Sequence, residues 1–159
     1  MIGGWQISSL AKYRSGQTLT ISNGGVYPTN YLSGALAVLR PGKTMPETGV
    51  GYDQTGTPSL FRNTNVLTNF MGQYPGTVGT RGIVRGPQFF NLDMSVSKKF
   101  PLPVEGHSVQ FRAEAFNVLN TVNFNNPTTL SISSNTSTVG QFTSSADPRI
   151  LQFALRYEF

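Results

Sequence analysis

From Leu151 to Phe159 every second residue is large and apolar. Leu151, Phe153, Leu155, Tyr157 and Phe159 take one parity, while Gln152, Ala154, Arg156 and Glu158 take the other. A strand sends alternate side chains to opposite faces, so this segment dictates a strand with one apolar and one polar or small face. Phe90–Phe100 repeats the rule, with Phe90, Leu92, Met94, Val96, Lys98 and Phe100 set against Asn91, Asp93, Ser95, Ser97 and Lys99. A third run starts at Ser108, where Val109, Phe111, Ala113 and Ala115 oppose Gln110, Arg112 and Glu114. Alternation fails near Phe116, which predicts a bulge or a change of environment there. The first strand is less regular. Trp5, Ile7, Ala11 and Tyr13 share a parity with Leu19 and Ile21, Leu10 breaks it, and Ser15-Gly16 marks a bulge or bend. Helical spacing is best at Tyr31–Leu39 (Leu32, Ala35, Leu36, Leu39), a segment that is short and poorly capped.

Composition narrows the field. Charged residues are 12% of the 159, with a net charge of +5, against about 25% in an ordinary soluble domain. Seventeen Gly and ten Pro accompany them. Helical bundles and coiled coils are excluded, and the aromatic content excludes a charged disordered tail. No apolar run is long enough for a membrane-spanning helix. The absence of Cys removes disulfides and thiolate metal sites. Met1–Trp5 has no basic segment followed by an apolar one, so no signal peptide is visible.

The connections carry the most information. About 65 residues (23–87) join the first strand to the second, about seven (101–107) the second to the third, and about 29 (120–148) the third to the fourth, where compact domains use about two to five. In an up-and-down meander this long–short–long order puts both long loops at one end. The expected fold is therefore all-β: an antiparallel meander of about four long strands near 4–22, 89–100, 108–119 and 149–159, a single segment 1–159 with no plug domain. Strands of about 9–11 residues with two unlike faces, aromatic ends and one-sided loops are what a transmembrane β-barrel requires. The chain reads as an incomplete piece of one. Trp5, Ile7, Leu92, Met94, Val96, Val109, Phe111, Leu151, Phe153 and Leu155 are expected to face lipid. Asn91, Asp93, Arg112, Glu114, Arg156 and Glu158 are expected to face a wet lumen. Lys98 shares the lipid parity but lies near a strand end, where its head can snorkel. The alternative is a soluble β-sandwich used as a lectin-like or adhesin-like binding module, with a second sheet over the apolar face.

No catalytic constellation emerges, and an enzyme is not expected. His107 is the one His, beside Glu105 and Gly106 in the short turn. Asp93 and Glu114, on different strands, are expected to pair with Arg112, Arg156 or Lys99. The Gly-rich run 72–86 lacks the Lys-Ser/Thr of a phosphate loop, and Asn135-Thr136-Ser137 is a chance-level sequon. No cofactor or metal is expected. The basic residues are scattered, so nucleic acid is not an expected partner. Arg40, Lys43, Arg62, Arg81 and Arg85 instead suit anionic glycans or an anionic ligand.

The stretch Arg85-Gly86-Pro87-Gln88-Phe89-Phe90-Asn91-Leu92-Asp93 through Phe100 resembles the late barrel strands of TonB-dependent outer-membrane receptors. The likeness is to the Oar-like subgroup, which carries a carboxypeptidase-regulatory-like domain. Phe111-Arg112-Ala113-Glu114-Ala115-Phe116-Asn117-Val118-Leu119-Asn120 resembles that family's penultimate strand, and Asp147-Pro148-Arg149 through Phe159 its closing strand. Gly4–Ser8 followed by Tyr13–Gly16 is similar to the strand before. The resemblance implies a barrel of about 22 strands around an N-terminal plug, of which this chain holds the C-terminal part. It implies a bacterial outer-membrane location, a periplasmic C-terminus and extracellular long loops. Phe159, and with it Tyr157, would be the signal read by the barrel-assembly machinery. The implied partners are outer-membrane lipid, the remaining strands and plug, TonB through the plug-bearing part, and an extracellular ligand of unspecified kind.

Overall fold

The computed structural model describes residues 3–24, 35–53, 55–62, 64–74, 76, 77, 79–133 and 138–159. The sequon at Asn135 and positions 31–34 of the helical-spacing segment lie outside them. In chain order the strands are β1 (Trp5–Arg14), β2 (Thr18–Leu19), β3 (Ala37–Leu39), β4 (Thr48–Tyr52), β5 (Pro58–Phe61), β6 (Phe70–Gly72), β7 (Val84–Arg85), β8 (Phe89–Pro101), β9 (Ser108–Phe116) and β10 (Ile150–Glu158). The chain divides into two compact units.

The first unit, 1–14 with 89–123 and 146–159, is one antiparallel sheet in the order β1-β8-β9-β10. Arg14 pairs with Phe89, Pro101 with Ser108, and Phe116 with Ile150. Both long connections therefore leave from the Arg14–Phe116 end, and the short turn closes the other. In that turn Leu102 N donates to His107 O at 3.0 Å and Gly106 takes φ 81°. The long first strand expected over 4–22 stops at Arg14, and Ser15–Gln17 form a break rather than a bulge within one strand. A β-sandwich would cover the apolar face with a second sheet. Instead Ile7 and Phe153 are each 67% exposed and Leu155 74%.

The second unit, 15–88 with 124–145, is where the two long connections fold together. Three two-stranded ribbons, β2–β7, β3–β6 and β4–β5, surround a core of Ile21, Leu60, Phe61, Phe70, Val139 and Phe142. Leu60 N donates to Gly140 O at 2.8 Å and Phe142 N to Pro58 O at 2.9 Å, so the later connection adds an edge to β5. The described part of the helical-spacing segment, residues 35–39, holds no helix. Ala37–Leu39 is β3, paired with Phe70–Gly72, because Ala37 and Phe70 are core residues of a ribbon.

Candidate functional site

The register of the four-stranded sheet decides which side chains share a face. Trp5 lies opposite Lys98, Ile7 opposite Val96, and Ala11 opposite Leu92. Val96 in turn lies opposite Ala113, and Lys98 opposite Phe111. Ala113 then meets Phe153, Phe111 meets Leu155, and Val109 meets Tyr157. All ten residues expected on the apolar face are thus on the same face, with Ser9 and Lys98 as polar members. Phe111 and Phe153 stack with centroids 6.3 Å apart. Lys98 is accommodated by two aromatic rings, its Nζ lying 4.7 Å from the Trp5 centroid and 5.1 Å from that of Phe100. A cation over ring faces keeps some electrostatic compensation at an apolar surface.

The opposite face gathers all six residues expected to be polar-facing, and they pair among themselves. Asn91 Nδ2 donates to Asp93 Oδ1 at 2.7 Å, and Lys12 Nζ lies 3.8 Å from Asp93 Oδ2. Arg112 Nη1 approaches Glu114 Oε1 at 3.4 Å, and Arg156 Nε approaches Glu158 Oε1 at 3.4 Å. Lys99 also binds Glu158, and Ser108 Oγ donates to it at 3.3 Å. The expected pairing of Asp93 with Arg112, Arg156 or Lys99 is replaced by Lys12, its neighbour across β1–β8. Leu10 sits on this polar face, opposite Asp93.

A cluster that sequence reasoning missed lies where β9 ends. Asn117 and Asn120 take left-handed φ values of 51° and 53°, a conformation that Asn tolerates better than most residues. The chain turns out of β9 there but keeps running beside β8. Val118 N donates to Leu92 O at 2.8 Å, and Asn117 N donates to Asp93 Oδ1 at 2.9 Å. Buried Asn123 then completes the edge: Phe90 N donates to its Oδ1, and its Nδ2 donates to Phe90 O, both at 2.8 Å. The loss of alternation at Phe116 marks this handover from ladder to side-chain bonds. The legible signal is the spacing Asn117-x-x-Asn120-x-x-Asn123.

A family model described as an outer membrane beta barrel domain matches residues 1–152. The chain belongs to that family. No curated protein and no solved structure matches it. As an outer membrane beta barrel domain, the chain has a structural role in a barrel wall of the bacterial outer membrane. The sheet's form accords with this: all-β, antiparallel, two-faced, with its four strands leaving the outer edges of β1 and β10 unpaired among the described residues. In a barrel such edges are closed by neighbouring strands.

The two ends of the sheet carry aromatic side chains, as barrel walls do at their interfaces. Tyr13 and Phe90 lie opposite each other at the long-connection end. Trp5, Phe100, Tyr157 and Phe159 lie at the other, where Tyr157 stacks on Phe159 at 6.0 Å and its hydroxyl hydrogen-bonds His107 Nδ1. His107 thereby ties the short turn to β10, and Phe159 is 91% exposed. In the second unit, Arg40 Nε donates to Phe70 O at 3.1 Å and Arg85 Nη1 to Gly16 O at 3.3 Å. Asp53 closes the β4–β5 turn. Its Oδ1 accepts from Thr55 N and Thr57 N, each at 2.9 Å, and from the Thr55 hydroxyl at 2.6 Å, while Oδ2 accepts from Gln141 Nε2 at 3.0 Å. These donors, the Thr55 hydroxyl first, hold its carboxyl down to about 2 from an ordinary 3.8. Among the described residues, no three His, Asp or Glu side chains gather as a metal-binding group.

Proposed function

We propose that this barrel domain is part of a TonB-dependent receptor of the Oar-like subgroup, a transporter rather than an enzyme. In this reading the face with Trp5, Ile7, Val96, Phe111, Phe153 and Leu155 meets lipid. The face with Asp93, Arg112, Glu114 and Arg156 lines the wet lumen. The short turn and the C-terminus are periplasmic, and the second unit is extracellular, where it contributes to ligand capture. The observation that carries the reading is the coincidence of an apolar and a polar face, to which all ten and all six expected residues respectively fall, with both long connections leaving one end of the sheet. The likeness of four motifs in chain order supports the finer assignment to TonB-dependent receptors. Other strands of the barrel close the edges of β1 and β10, a plug supplies the TonB contact, and this section alone does not transport.

The assembly machinery reads Phe159 and Tyr157 at the exposed end of β10. The test is deletion of Phe159 in the parent receptor, set against deletion of Thr57. Loss of Phe159 should lower the heat-modifiable, folded fraction in the outer membrane, and loss of Thr57 should not. Equal insertion of the two variants would remove the assembly role. Uptake by the parent that persists in cells lacking TonB would remove the energy-coupled reading while leaving the barrel.

A further inference from the structure

The second unit contains a cavity of about 820 Å³ lined by residues of that unit alone. Small-molecule sites span about 300–1,000 Å³. Thr48, Gly49 and Val50 of β4 form one part of the lining, and Gly16, Arg85 and Gln88 another. The second part is held rigidly. The backbones at Gly16 and Gly86 touch so closely that a Cβ on Gly16 would fall 1.9 Å from Gly86 O. Gly86 N donates to Gln17 O at 2.8 Å, and Arg85 pairs with Thr18 in the β2–β7 ribbon. Among the described residues, Arg85 is the one charged residue in the lining. Its Nη1 bond to Gly16 O fixes the guanidinium against the cavity's own backbone, and a guanidinium has further N–H groups to offer.

The second unit as a whole is net positive. The second unit holds five basic residues (Arg40, Lys43, Arg62, Arg81, Arg85) and two acidic ones (Glu47, Asp53). Asp53 is already occupied by Thr55, Thr57 and Gln141. Among the described residues no aromatic ring lines the cavity, and none of them offers a flat apolar ligand a stacking platform. Hydroxyl, amide and backbone groups surround a lone fork of donors, and that fork matches the geometry of a carboxylate or phosphate.

We propose that this cavity binds a small polar ligand carrying one carboxylate or phosphate group, and that Arg85 pairs with its oxyanion. The proposal rests on the ligand-capture role given above to the second unit and supplies its site and ligand class. Gly49 provides a clean probe. A Cβ built there meets nothing within 4 Å, so a larger side chain starts out in open space beside the lining.

The test titrates the whole chain in detergent micelles with glucuronate, glucose 6-phosphate and glucose, followed by amide shifts. At least one acid should bind saturably, with glucose about tenfold weaker or worse. Preference between the two acids then tells carboxylate from phosphate. Arg85→Gln should weaken the acid by about tenfold or more, and Gly49→Leu should abolish its binding. Arg149→Gln removes the same charge from the other unit and should change nothing. The amides of Thr55 and Thr57 report whether the unit is folded in each variant. Should Gly49→Leu disturb them, Arg85→Gln decides alone. Absence of saturable binding by either acid, equal binding of glucose, or equal loss in Arg149→Gln and Arg85→Gln would overturn the proposal. Such a failure would leave the receptor reading standing, because that reading is decided by the TonB dependence of uptake.

Discussion

Asn123 does with one side chain what a strand does with its backbone. Its amide oxygen accepts from Phe90 N and its amide nitrogen donates to Phe90 O, the exchange a facing strand residue would make. Asn123→Ala leaves both groups without that partner, at a cost of about 0.5–1.5 kcal/mol for each part-buried hydrogen bond lost. The expected outcome is faster amide exchange at Phe90 and a lower unfolding temperature, with Asn125→Ala as a milder control. Unchanged Phe90 protection would refute the clamp. Asp53 makes a different residue-scale prediction. Its folded-state value is depressed, so its stabilising contribution is complete above pH 3.8 and disappears as pH falls through about 2. The Thr55 and Thr57 amide shifts should titrate near the lower value. A midpoint at the ordinary value would mean that the Thr55 and Gln141 bonds do not form in solution. Neither device reads easily from the sequence. Asn117, Asn120 and Asn123 look like loop residues because Asn favours turns, and the β8 partners, Asp93 for Asn117 and Phe90 for Asn123, lie far away along the chain.

At the scale of the element, parity decides tolerance. Phe153 and Gln152 are adjacent in β10 and lie on opposite faces, opposite Ala113 and Glu114 respectively. On the proposed orientation, Phe153→Arg should cost about 2–4 kcal/mol if the site lies at mid-bilayer. Gln152→Arg should be near neutral, since it adds a cation opposite a carboxylate. The folded fraction on unheated gels measures both, and equal loss would mean that the faces are assigned wrongly. The long strands were legible for the same reason that this contrast exists. Two unlike environments impose period two, so β8, β9 and β10 show their faces in sequence. The short strands did not. β2, β3 and β7 hold two or three residues each, too few to display a period, and Ala35, Leu36 and Leu39 imitate helical spacing by coincidence. Their pairing is set by burial in the second unit's core, which only the fold brings together.

At the scale of the whole molecule, the long connections form a second unit with a core, shared between two distant stretches of chain. Val139 and Phe142 come from the later stretch, and Leu60, Phe61 and Phe70 from the earlier one. Excising Asn125–Ser144 would remove the Gly140 and Phe142 bonds to Pro58 and Leu60 as well as two core side chains. Limited proteolysis should then cut readily within 15–88, at sites protected in the intact chain. Equal resistance would show that the earlier stretch folds alone. The candidate cavity was illegible for a related reason: Thr48–Val50 and Arg85 adjoin one space only after β4 and β7 are placed, although Arg85 was already among the basic residues set aside for an anionic partner.

The sheet has an even number of strands. Trp5 lies beside Lys98, and Glu158 lies beside Ser108, so β1 begins and β10 ends at the short-turn end. The chain enters and leaves this wall through the same side. Whatever is joined before β1 or after β10 starts out in one compartment, and epitopes placed at the two positions will be either accessible together or hidden together.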